Sequence, residues 1–172
     1  MTLLLAFVLF GFSHQGSRAE PADSGKLWQA QHDLFVAVAG HWECTGAFSD
    51  GRPVAADLTF TLQPDTRMLD FVHRDRAPNQ FIGHWLWGTD QKNNQIVSLG
   101  FVGTQTVQLP AFLVGRSWTS RSLTLEAQTL ASPLSAPNRF TYSIDGASLN
   151  VLWEVQRDGV YTVGDRLKCK RA

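Results

Sequence analysis

The chain has few charged residues and no excess of either sign. Lysine and arginine number 15, aspartate and glutamate also number 15, and charged residues make up only 17% of the sequence. This balance excludes the basic surface that nucleic-acid binding requires, and no polybasic helix suits a membrane surface. We therefore expect no nucleic-acid partner.

Signatures of known catalytic and metal sites are also missing. The sequence contains no glycine-rich phosphate loop and no Gly-x-Ser-x-Gly turn. Beyond the amino-terminal segment the histidines are His32, His41, His73 and His84, and none forms an HxH or HExxH spacing. Because a metal site needs three or four converging ligands, we expect neither a metal nor a cofactor. The alternative is a site in which His73 and His84 face each other across adjacent strands.

Long apolar runs are absent, apart from a short one at the amino terminus. Leu3 to Phe12 is uncharged and apolar, too short for a membrane-spanning helix, which needs roughly twenty residues. The small residues Ser17 and Ala19 follow it, a pattern typical of a signal peptide cleaved after Ala19. We predict a signal peptide at 1–19, a single domain at 20–172, and export to the periplasm or medium without stable membrane insertion. An uncleaved anchor or a buried strand is the alternative.

Cysteine occurs only twice, as Cys44 and Cys169. An exported chain meets an oxidising compartment, so the sequence predicts a disulfide between them, with two unrelated buried thiols as the alternative. The bond would place the first strand beside the last. If these strands are antiparallel, Trp42 lies opposite Arg171, and the guanidinium covers the indole at the closed end. Gly40, which ends the helix, completes this predicted closure.

Short segments of alternating polar and apolar residues are abundant. The clearest runs from Val54 to Gln63, and the others cover 40–48, 67–75, 81–89, 96–103, 123–130, 139–145, 148–157 and 160–171. Spacings of three and four between Ser24 and Ala39 predict a short amphipathic helix over one end. The pattern is typical of an all-β fold, an antiparallel barrel of about 8–10 strands with a short amino-terminal helix.

The pattern also predicts how the other segments are placed, except that both faces of 81–89 are apolar and either could be the inner one. Val97, Leu99 and Phe101 are the predicted inner face of one strand. Residues 104–122 include Pro110, which favours an edge strand or a lid loop. Alternation along the last segment, 160–171, predicts that Tyr161 lies on the same face as Cys169.

The heptad Gly40-His41-Trp42-Glu43-Cys44-Thr45-Gly46 resembles the first strand of the calycin superfamily, which includes lipocalins and fatty-acid-binding proteins. With the Asp50-Gly51 and Asp145-Gly146 turns, residues 34–171 look like a bacterial group of exported or cytosolic lipocalin-like domains of unknown function. The resemblance implies a cup that holds one small hydrophobic molecule. Nitrobindin-like haem barrels start similarly, but this chain has Cys44 at a glycine position and no histidine after His84. We therefore expect no haem.

The predicted function is binding of a small hydrophobic or amphipathic molecule by a monomeric barrel of unassigned role. The candidate ligand-binding residues are His73, Trp85, Trp87, Phe101, Tyr142 and Trp153. A first alternative is an isomerase or hydrolase that uses His73 and Asp75 as an acid–base pair, although these residues also suit a solvated strand end. A second is a structural or partner-binding envelope protein whose aromatic residues pack a solid core.

Overall fold

The computed structural model describes residues 24–64, 67–128 and 137–172. One helix, α1 (Ser24–Val38), precedes ten strands in these ranges. The strands are β1 (Gly40–Phe48), β2 (Pro53–Gln63), β3 (Met68–Asp75), β4 (Ile82–Asp90), β5 (Gln95–Gly103), β6 (Gln108–Trp118), β7 (Ser122–Ala127), β8 (Asn138–Asp145), β9 (Ser148–Arg157) and β10 (Val160–Arg171). The predicted signal peptide at 1–19 lies outside the described residues.

Each strand pairs with its neighbours in sequence, and β1 pairs with β10, so the sheet closes into a barrel. All pairings are antiparallel. Gly146 and Gly159 adopt positive φ angles of 58° and 79° in two of the hairpin turns, a conformation that glycine reaches without a Cβ clash. The predicted all-β antiparallel barrel is therefore confirmed, and it is consistent with a calycin, or lipocalin-like, fold.

The barrel interior is built from alternate residues of each strand. In β2, Val54, Ala56, Leu58 and Phe60 are between 0% and 4% exposed, while the intervening side chains lie outside. Helix α1 buries Leu34, Phe35 and Val38, and the Phe35 ring lies 6.4 Å from that of Trp87. The helix thus covers one end of the barrel, which we call the closed end, as the amphipathic pattern predicts.

Two side chains join the helix to the barrel at this closed end. Trp42 is fully buried, and its Nε1 donates a hydrogen bond of 2.8 Å to the carbonyl of Val38. The Arg171 guanidinium lies 4.3 Å from the centre of the Trp42 ring and donates to the carbonyls of Ala37 and Ala39. These bonds satisfy carbonyls that the last turn of a helix leaves without partners. The predicted pairing of Trp42 with Arg171 is confirmed.

The disulfide between Cys44 and Cys169 is also confirmed, with the two Cα atoms 4.0 Å apart and a sequence separation of 125. It links β1 directly to β10 across the closure of the barrel. Such a bond is typical of proteins outside the reducing cytoplasm. No helix within the described ranges is long and apolar enough to cross a membrane.

The predicted inner face of β5 is wrong. Ile96 and Ser98 are buried, whereas Leu99 and Phe101 are 55% and 56% exposed. The reason is the size of the tryptophan side chains on the neighbouring strand β4. Trp87 lies opposite Ser98, and Trp85 lies opposite Gly100. A Cβ at Gly100 would lie 2.1 Å from the backbone oxygen of His84 and 2.7 Å from Cδ1 of Trp85, so the β4 backbone and the Trp85 indole leave no room for a side chain there. Phe101 therefore points outward.

Residues 104–122 form neither an edge strand nor a lid loop. Strand β6 pairs with β5 on one side and with β7 on the other. Pro110 lies opposite Phe101 near one end of the strand. Because proline has no backbone N–H, the sheet loses at most one hydrogen bond between strands there. A register shift between Gly115 and Ser117 adds to the irregular pattern.

A second register shift, between Val163 and Asp165, corrects the predicted face of Tyr161. Tyr161 lies on the outer face, where its ring is 4.1 Å from the Arg139 guanidinium, whereas Asp165 faces inward with Cys169. A Cβ at Gly164 would lie 2.2 Å from the ring of Trp153. Glycine therefore lets the bulged strand approach this indole closely.

The closed end generates a stability prediction. Replacing Arg171→Met keeps an unbranched stem over Trp42 but removes the bonds to two helix carbonyls, so the free energy of unfolding should fall by about 1–2 kcal/mol. Urea denaturation measures the change. Lys170→Met, at the exposed neighbouring position, is the matched control. Equal midpoints for the two variants would contradict this role for Arg171.

Candidate functional site

A cavity of about 300 Å³ lies at the end of the barrel opposite α1, which we call the open end. Its walls come from the last residues of β3 and the first residues of β4, β6 and β8. Towards the closed end the interior is filled by side chains, including the buried rings of Phe60, Phe71 and Trp87. The barrel is thus packed at one end and hollow at the other.

Aromatic side chains form one continuous wall of the cavity. Trp85 lies 5.1 Å from Phe71 in a stacked arrangement and 6.4 Å from Phe140. Phe140 in turn stacks against Trp153 at 6.4 Å. We call Trp85, Phe140 and Trp153 the aromatic wall; aliphatic side chains of β5, β6 and β9 complete the apolar lining.

The Trp85 indole carries a polar atom without a partner. Its Nε1 is buried and makes no hydrogen bond with any described residue. Buried donors in proteins are nearly always paired, and leaving one unpaired costs about 1–3 kcal/mol. The atom has no surface exposed to the cavity, so the missing bond is a local cost of packing the indole.

His73 and Asp75 lie side by side in the cavity. His73 faces inward with Phe71, as the alternation of β3 predicts. Its Nε2 is 2.9 Å from Oδ1 of Asp75, and the two side chains are only 8% and 6% exposed. When the imidazole is neutral and donates from Nε2, Nδ1 keeps its lone pair and can accept a proton.

Asp165 enters the same cavity from β10. Burial raises the pKa of its carboxyl group to about 6; His73 opposes the rise and Asp75 adds to it. We call His73, Asp75 and Asp165 the polar trio. Among the described residues that line the cavity there is no lysine or arginine.

The predicted ligand-binding residues fall into three groups. His73, Trp85 and Trp153 line the cavity. Trp87 and Tyr142 are buried 5.0 Å apart among the residues that fill the barrel, and they do not line it. Phe101 lies on the outer surface, for the reason given above.

Sequence reasoning did not select Phe140 or Asp165 as site residues. Asp165 nevertheless carried a signal, because the alternation of the last strand already placed this charged residue on the face of Cys169. A charge on the inner face of a barrel is costly unless it is paired with another polar group or binds a ligand. Phe140 carried no comparable signal, since an aromatic residue in a strand suits any buried face.

The alternative of a metal site between His73 and His84 is wrong, because the two side chains lie on opposite faces. His84 is on the outer surface, where its Nε2 is 2.7 Å from Oδ1 of Asp70. Within the described ranges, no three His, Cys, Asp or Glu side chains are grouped closely enough to hold a metal ion.

Fold and cavity together define a closed antiparallel barrel with an apolar internal cavity and a small polar cluster at its open end. No protein-family model matches the chain, and no curated protein matches it.

The raised pKa of Asp165 generates a prediction about stability. Since the folded state favours the protonated acid, this group lowers stability as pH rises from about 4 to about 6, by about 3 kcal/mol at most. Asp165→Asn removes the titration. The variant should match the wild type near pH 3.5 and exceed its unfolding free energy by about 2–3 kcal/mol at pH 7.

Urea denaturation across this pH range measures the difference between the two proteins. Arg76 and Arg139 lower the pKa values of Asp57 and Glu154, so these two acids make stability rise with pH. Because they do so equally in the wild type and in the variant, the difference between the two proteins reports on Asp165 alone. Asp145→Asn, in an exposed turn, is the control. A difference between wild type and Asp165→Asn that does not change with pH would show that burial does not raise this pKa.

Proposed function

We propose that this protein is exported and, as a monomer, binds one small amphipathic molecule in the cavity at the open end. The observation that carries the proposal is the apolar cavity of about 300 Å³ with the polar trio on its wall. This volume is at the lower end of the range typical of small-molecule sites. A barrel packed solid throughout would leave no such space, which argues against the purely structural alternative.

The aromatic wall supports binding of an apolar body. Flat indole and phenyl rings bury a large area and lose little conformational freedom when a ligand packs on them. Trp85 and Phe140 are already held by contacts with Phe71 and Tyr142, so the wall is formed before a ligand arrives. A preformed surface lowers the entropic cost of binding.

Polar groups in the cavity favour an amphipathic ligand over a pure hydrocarbon. A hydrocarbon would remove water from the polar trio without replacing its hydrogen bonds. A ligand with a polar head avoids this cost.

Export is supported by two features of the chain. The segment at 1–19 has the pattern of a signal peptide, and the disulfide forms most readily in the oxidising periplasm or medium. The resemblance to bacterial lipocalin-like domains, which are exported or cytosolic, favours neither compartment and adds no ligand.

The neutral fluorophore N-phenylnaphthylamine tests the proposal. We expect saturable binding at one site per chain, with a rise in fluorescence and a blue shift as the dye leaves water. Ala111→Phe, which adds a ring on the cavity side of β6, should weaken binding about tenfold or more. Titration by fluorescence measures both.

Ser117→Phe is the matched control, since it adds the same ring on the outer face of the same strand. Its affinity should equal that of the wild type. Binding that is unaffected by Ala111→Phe, or no binding at all, would overturn the proposal.

A second candidate function, general acid–base catalysis, is favoured by the contact between His73 and Asp75 inside the cavity. No serine, threonine or cysteine lines this cavity among the described residues, so the chemistry would be proton transfer or water activation. An isomerase that moves a proton beside a carbonyl group suits this arrangement best.

Hydrogen–deuterium exchange at the carbon next to the carbonyl of tetralone, followed by NMR, tests this candidate without a known substrate. A working base should accelerate exchange about a hundredfold over buffer. His73→Gln should abolish the acceleration. His84→Gln, which alters the exposed His84–Asp70 pair, should not. Identical exchange with wild type and His73→Gln would reject catalysis by this pair.

A further inference from the structure

We propose that the ligand is an organic cation, an ammonium group on an aromatic or aliphatic body, and that its charge pairs with Asp165. This inference rests on the proposed binding function and specifies the class of ligand.

The charge of the cavity is the first support. Two carboxylates and one imidazole face the same space, and no lysine or arginine lines it among the described residues. Even with His73 protonated, negative charge exceeds positive charge once Asp165 is ionised. Within an apolar enclosure such an excess is costly unless an opposite charge approaches it.

Hydrogen bonding within the trio leaves Asp165 as the group for the ligand. Asp75 already accepts a bond from His73, and this pair is self-contained. The Asp165 carboxyl group makes no hydrogen bond with any described side chain, and His73 and Asp75 act on it only through their charges. A cation that donates to its carboxylate would supply what the protein does not.

The position of Trp153 is the second support. It lies directly opposite Asp165 in the pairing of β9 with β10, and both line the cavity. The close approach at Gly164 fixes the strand against this indole. An ammonium at Asp165 therefore lies close to the indole of Trp153, whose face stabilises a cation that lies over it.

The same features disfavour an anionic amphiphile such as a fatty acid. Its carboxylate would be a third acid in an apolar space without a basic side chain among the described lining residues. Like charges in such surroundings repel strongly, so an acid would bind only after taking up a proton.

The charge pairing also predicts how affinity depends on pH. A cation binds the ionised form of Asp165, so affinity should rise as pH increases through about 6. The ionisable groups that face Asp165 are His73 and Asp75 on β3; Phe48 on β1 and Trp153 on β9 are uncharged.

Three probes that share a naphthyl ring and differ in their polar group test the proposal: naphthylethylamine, naphthylethanol and naphthylacetate. Isothermal titration at about pH 7.5 should give the amine the lowest dissociation constant, about tenfold or more below that of the alcohol. Naphthylacetate should bind most weakly. At about pH 5 the advantage of the amine over the alcohol should shrink.

Asp165→Asn should remove the preference for the amine and leave the affinity for the alcohol within about twofold. Asp145→Asn, an acid-to-amide change in an exposed turn, should leave all three affinities unchanged. The comparison of probes on the wild type needs no variant, so the test does not depend on the folding of Asp165→Asn.

The outcomes separate this inference from the proposed function. Equal affinity for amine and alcohol, or tighter binding of naphthylacetate, would overturn the cation inference while leaving amphiphile binding intact. Failure of all three probes and of N-phenylnaphthylamine would overturn both. A preference for the amine that persists in Asp165→Asn would overturn the assignment to Asp165.

Discussion

The pairing of β1 with β10 is the contact on which the rest of the structure depends. It joins strands at opposite ends of the chain, and without it the sheet would have two exposed edges instead of none. The Cys44–Cys169 bond fixes the register of this pair, and that register brings Arg171 over Trp42. One covalent contact therefore sets both the closure of the sheet and the attachment of the helix.

The two ends of the barrel differ in the charge that they bury. At the closed end, Trp42 and Arg171 pair with backbone carbonyls at the end of the helix, and aromatic rings fill the space around them. At the open end, Asp165 is a largely buried acid with a raised pKa. Proteins commonly tolerate such local costs where they bind or react, and compensate elsewhere. The closed end and the disulfide provide that compensation here.

Much of the fold follows from the sequence because the rules involved are local. The alternation of β2, the two cysteines and the glycine turns predict strands, closure and register. The inner face of β5 does not follow, because it has apolar residues on both sides and the choice depends on the indoles of Trp85 and Trp87 in the next strand. The family resemblance implied a ligand-holding cup, but the volume of the cavity could not be predicted, since it depends on how rings from four strands pack. Of the polar trio, the sequence indicated only His73 and Asp75 as candidate site residues, because they lie two positions apart in the chain and Asp165 lies far from both.

A single bulge explains why Asp165 belongs to the site. With uninterrupted alternation along β10, Tyr161 and Asp165 would share the inner face, and the ring of Tyr161 would lie towards the cavity. The register shift at Gly164 instead turns Tyr161 outward, where it contacts Arg139, and keeps Asp165 beside Trp153. A larger residue at 164 would collide with Trp153, so the bulge and the indole require each other. The placement of an acid against an aromatic ring is thus a consequence of backbone geometry, which also leaves the space beside them free for a ligand.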